Sequence, residues 1–146
     1  MNKAETVALD AVARGEKVVI AVDFDGVLCE NAFGTTGEIG EPITEIIEEL
    51  KRVQSLGHIL VLWTCREDLY KKLCGVTVDF WDLLNEAILW CKKRGLRFPH
   101  VNRKEGAGFE EWEGERRKVS ADIYIDDKSV GFSREKVIEF LKEIQC

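Results

Sequence analysis

Val18-Val19-Ile20-Ala21-Val22-Asp23-Phe24-Asp25-Gly26 is the stretch on which the fold turns. Five apolar residues, most of them β-branched, run without a break into an acidic turn closed by glycine. A run this short with no polar alternation predicts a parallel strand covered on both faces, since a half-exposed antiparallel strand would alternate. Two further stretches repeat the pattern. Ile59-Leu60-Val61-Leu62-Trp63 runs into Thr64-Cys65-Arg66, and Ala121-Asp122-Ile123-Tyr124-Ile125 runs into Asp126-Asp127.

Between these runs the apolar period becomes helical. Ile43, Ile46, Ile47, Leu50, Val53 and Leu56 form one stripe, with Pro42 expected in the first helical turn and Gly57 ending it. Residues 78–94 read as a long apolar-rich helix closed by Gly95, followed by a short strand at 97–101. Ala4, Val7, Ala8, Ala11 and Val12 mark an N-terminal helix stopped at Gly15. Ser133 reads as the N-cap of a closing helix carrying Val137, Ile138, Leu141 and Ile144. Residues 104–117 are polar and give no clear element. Strands that alternate with helices imply right-handed crossovers and an α/β fold, a Rossmann-like doubly wound and mainly parallel sheet. The chain is 146 residues long without repeats or a linker, so a single domain over 1–146 is expected. In such sheets ligands bind beyond the carboxyl ends of the strands. All three polar strand ends are therefore expected at one edge.

Composition narrows the function classes. Apolar residues are 45% and charged residues 33%, the balance of an ordinary globular chain. No apolar run approaches the roughly 20 residues that span a bilayer, so no membrane partner is expected. The N-terminus lacks a signal-peptide pattern, and the expected location is the cytoplasm. Cys29, Cys65, Cys74, Cys91 and Cys146 are scattered without a Cys-x-x-Cys pair, which suits reduced thiols better than disulfides or zinc. A net charge of −6 disfavours a nucleic-acid backbone as main partner and favours a small substrate.

Four carboxylates at one sheet edge repel unless a cation or protons neutralise them. Hard oxygen ligands suit Mg²⁺, which takes one or two carboxylates and completes its shell with water and substrate phosphate. A carboxylate can attack phosphorus, and a second one two residues on can protonate the leaving oxygen and later activate water. Gly26 lets backbone amides approach phosphoryl oxygens, and Thr64 offers a hydroxyl. An Asp-x-Asp-Gly turn alone is a weak signal. Its strength here comes from the ordered set of three strands and three polar ends.

In that set the chain resembles the haloacid dehalogenase superfamily. Residues 19–27, 60–64 and 123–127 look like its motifs I, II and IV, and the resemblance spans 18–128. It implies a phosphoaspartyl mechanism with Asp23 as nucleophile and Asp25 as general acid/base, the Asp25 carbonyl also binding Mg²⁺. It implies a phosphate cradle of Thr64 with the Gly26 and Val27 amides and the neighbouring Cys65. Asp127 is the preferred metal ligand, with Asp126 behind it and Asp23 completing the set. Motif III has no unique match. Lys118, just before the last strand, is preferred over Arg103, Lys104 and Lys128.

Neither interval between motifs holds a full cap domain, so the resemblance implies an open site, with residues 29–41 and 66–76 as local specificity elements. Open sites in this superfamily serve bulky substrates, or smaller ones enclosed by a neighbouring subunit, so a homo-oligomer covering the site is one expectation. The expected activity is a Mg²⁺-dependent phosphomonoesterase. A nucleotidase or nucleic-acid-end phosphatase, a phosphotransferase, and a non-catalytic phosphate- or metal-binding module are the alternatives.

Overall fold

The computed structural model describes residues 2–34, 37–66, 68–73, 76–101 and 120–146. In chain order these form α1 (Lys3–Ala13), β1 (Val19–Val22), α2 (Thr44–Ser55), β2 (Ile59–Leu62), β3 (Asp68–Leu73), β4 (Val76–Asp82), α3 (Leu83–Lys93), β5 (His100–Val101), β6 (Ile123–Ile125) and α4 (Arg134–Ile144). The three apolar runs are strands of one parallel sheet, ordered β5-β2-β1-β6. The molecule is an α/β fold with β1 near the middle of that sheet.

Register explains how the strand ends meet. Val22 lies opposite Leu62 of β2 and Ile125 of β6, so the next residue on each strand emerges at one level. Two ladder bonds carry this one step further, Asp23 N–H to Ile125 O and Trp63 N–H to Val22 O, both 2.9 Å. β1 has β2 on one side and β6 on the other, so the sheet reverses its winding between β1 and β6. Open α/β sheets bind ligands at the carboxyl ends of the strands beside such a reversal.

The core follows from the pleat. Ile20 and Val22, Leu60 and Leu62, and Ile123 and Ile125 join one apolar cluster with Ile46, Leu50 and Val53 of α2 and with Phe140, Leu141 and Ile144 of α4. Burying each such aliphatic chain contributes about 1.5–3 kcal/mol. The intervening residues Val19 and Val61 form a second cluster, with Ile59, Trp63 and Ala121 against it.

Two local expectations are corrected. Pro42 is not in the first helical turn: it forms an isolated bridge with Cys29, and α2 begins at Thr44 after Ile43. The long helix over 78–94 is shorter, because residues 76–82 are β4, antiparallel to β3. Val76, Val78 and Phe80 alternate with Thr77, Asp79 and Trp81, a period of two that β-branched and aromatic residues favour in strands. Ser133 caps α4 as expected, its hydroxyl accepting from Lys136 N–H at 3.4 Å. Among the described residues no helix is long and apolar enough to cross a membrane.

Candidate active site

Phe24 organises the turn after β1. Its ring is fully buried and meets the Trp90 ring edge-on at 5.3 Å, which ties the turn to α3. With that residue drawn into the core, both neighbouring aspartates stay partly exposed. Leu28 N–H donates to Phe24 O at 2.9 Å and closes the turn.

Asp23, Asp126 and Asp127 converge, each offering a carboxylate oxygen within 4.8 Å of the others. The Asp23 Oδ1 accepts from Phe24 N–H at 2.8 Å, and Asp126 Oδ1 accepts from Lys128 N–H at 2.9 Å. Burial is the main force pushing the Asp23 carboxyl up, to about 7; the Phe24 N–H opposes it, and Asp127 and Asp126 add to it. Three acidic side chains crowded this way fit a hard divalent cation, whose charge would favour the ionised form of all three. Gly26 makes the crowding possible. At φ +85° it occupies the left-handed region, and a Cβ there would fall on the Asp127 carboxylate.

Asp25 does not join this cluster. Both its oxygens accept from Arg66, Oδ2 from Nε at 2.9 Å and Oδ1 from Nη2 at 2.8 Å. The expected convergence of four carboxylates is thus three, with the fourth matched to a cation. Arg66 is 1% exposed, and the sequence reading placed it only at the start of the 66–76 specificity segment, with no partner for Asp25 foreseen. Its only early signal was its place just beyond Thr64, at the edge where the carboxylates gather.

The expected phosphate cradle is also altered. The Gly26 N–H donates to Cys29 O at 2.8 Å and the Val27 N–H to Phe24 O at 3.3 Å, so the turn uses both amides, and the Val27 side chain is buried. Thr64 is 8% exposed, and its hydroxyl accepts from Arg66 N–H at 3.1 Å. Cys65 is exposed. Cys29 is buried, and its thiol is pushed up to about 11, chiefly by burial and then by Asp25, which leaves it a packing residue. Lys128 is exposed beside Asp127, while Lys118, Arg103 and Lys104 lie outside the described residues.

A conserved protein from Bacteroides thetaiotaomicron is similar in structure. It is 35% identical, the match covers 88% of this chain and 92% of that one, and the TM-score is 0.66. The chain belongs to that protein's family. No protein-family model and no curated protein matches it.

Proposed function

We propose that the protein is a Mg²⁺-dependent phosphohydrolase working through a phosphoaspartyl intermediate on Asp23. The observation that carries this reading is the meeting of Asp23, Asp126 and Asp127 within 4.8 Å at the switch point of a parallel sheet. Asp23, Asp127 and Asp126 would hold the cation, with the Asp25 carbonyl beside them. Bound there, Mg²⁺ would neutralise charge on the transferring phosphoryl group. An Asp23 oxygen attacks phosphorus, the bond from phosphorus to the leaving oxygen breaks, and that oxygen takes a proton from Asp25. Asp25 then takes a proton from water, whose oxygen attacks phosphorus. The bond from phosphorus to the Asp23 oxygen breaks, inorganic phosphate leaves and the Asp23 carboxylate is restored. A small phosphorylated substrate fits the charge of −6 better than a nucleic acid does.

The test is hydrolysis of a panel of phosphomonoesters with Mg²⁺. Asp23→Asn is expected to lower kcat by about 10³-fold or more, and a chelator is expected to do the same reversibly. Substantial turnover in either case would overturn the mechanism. One observation favours a second reading, a binding module without turnover: both Asp25 oxygens are engaged by Arg66. Beryllium fluoride separates the two. Capture on Asp23 as an acyl-phosphate mimic supports catalysis, whereas Mg²⁺ binding without capture supports the module.

A further inference from the structure

We infer that Arg66 is the positioning residue of this site, setting the orientation of Asp25 and tying it to the chain segment that carries Gly37 and Glu38. The inference rests on the phosphohydrolase reading for Asp25's role, but its geometry stands apart from that reading.

Arg66 joins three pieces of chain distant in sequence. Its Nε and Nη2 grip both oxygens of Asp25. Its Nη1 donates to Gly37 O at 2.8 Å and its Nη2 to Glu38 O at 2.9 Å. Its guanidinium lies over the rings of Phe24 and Phe33, 5.0 and 4.9 Å from their centroids. The backbone N–H of Arg66 donates to Thr64 Oγ1, which seats the arginine on the end of β2.

A side chain 1% exposed keeps its charge only where anionic and dipolar acceptors replace water. Asp25 supplies the anion here, and the carbonyls of Gly37 and Glu38 supply dipoles. Leaving the pair would strand a buried guanidinium, so Asp25 has strong reason to hold one orientation. Two planar groups joined at both ends also fix the plane of the carboxylate, which a single bond would not. Each carboxylate oxygen has a second lone pair on the edge turned away from Arg66. While that edge carries the proton given to the leaving oxygen, the guanidinium keeps the Gly37 and Glu38 carbonyls and the faces of Phe24 and Phe33. Because the same guanidinium holds Gly37 and Glu38, a shift of those carbonyls is felt at Asp25.

The test compares Arg66→Lys, which keeps the charge and loses the fork, across leaving groups. An alkyl phosphate needs its leaving oxygen protonated; a dinitrophenyl phosphate does not. Misplacing the general acid should therefore cut kcat on the alkyl ester about 100-fold and on the aryl ester less than about threefold. The double variant with Asp25→Asn should lose no more than Asp25→Asn alone. Equal losses on both esters, or full additivity, would overturn the assignment.

Hydrogen exchange supplies an arm independent of activity. Exchange in the peptide carrying Gly37 and Glu38 should rise about tenfold or more in Asp25→Asn and in Arg66→Lys, and stay unchanged in Asp127→Asn. Unchanged exchange in all three would overturn the coupling. A wild-type protein inactive on every phosphomonoester would refute the phosphohydrolase reading, while the exchange result would still decide whether Arg66 ties Asp25 to this segment.

Discussion

At the scale of single residues, glycines with the same backbone angle do different work. Gly15 and Gly26 sit at φ +83° and +85°, yet a Cβ at Gly15 meets nothing within 4 Å while one at Gly26 lands on Asp127. Gly15→Ala should therefore cost only left-handed strain, about 1–2 kcal/mol, and leave Mg²⁺ affinity unchanged. Gly26→Ala should carry the same strain and also displace Asp127, the proposed ligand, weakening Mg²⁺ binding by about 10–100-fold. Calorimetric titration of both variants checks this. Equal Mg²⁺ affinity in the two would show that Asp127 does not hold the cation. Arg66 makes the complementary point: one buried side chain reaches acceptors on two other pieces of chain.

At the scale of elements, β1 and β2 are joined at their starts as well as their ends. The Val18 N–H donates to His58 Nδ1 at 3.1 Å, and His58 is 5% exposed. Burial, and then the nearby Lys17, hold this imidazole below its ordinary value of 6.5. The folded chain therefore prefers neutral His58. That contribution to stability is fully present above pH 6.5 and is lost as pH falls through the lowered folded value. Urea unfolding at pH 5 and pH 8 should show the loss. In His58→Gln, whose amide oxygen can accept the same bond without titrating, the difference between the two pH values should shrink. An unaltered difference would place its origin elsewhere.

At the scale of the whole molecule, the proposed Mg²⁺ site should link metal binding to pH through the aspartate cluster. In chelator the folded Asp23 is held at about 7, above its ordinary 3.8. A raised carboxyl favours folding fully below 3.8, and the advantage is lost as pH rises toward about 7. Tm in chelator should fall over that window, and Asp23→Asn should flatten the slope. Mg²⁺ at 100 times its Kd should add about 2.7 kcal/mol of stability, and the gain should grow with pH as the carboxylates ionise. Scanning calorimetry with and without Mg²⁺ measures both. A Tm indifferent to Mg²⁺ at pH 8 would remove the cation from the site.

The three apolar runs were readable because burial on both faces imposes one composition on a parallel strand, and the α/β class followed from their alternation with helices. The gathering of Asp23, Asp126 and Asp127 at one edge followed from where those runs end. Residues 78–82 misled because Val78, Phe80 and Trp81 suit a buried helix or a strand equally in a short window, and pairing with β3 decided between them. Pro42 misled because its position relative to the helix depends on the bridge to Cys29, across the turn. Local pattern by itself thus determined the three apolar strands and the polar residues at their ends, since each run depends on neighbours a few residues away. The rule for parallel sheets brought those ends to one edge. Only the tertiary structure decided that the Gly26 and Val27 amides close the turn and that Asp25 pairs with Arg66. The physical reason is that a buried cation finds its acceptors through space, and nothing in the spacing of Asp25, Gly37, Glu38 and Arg66 along the chain announces that they meet.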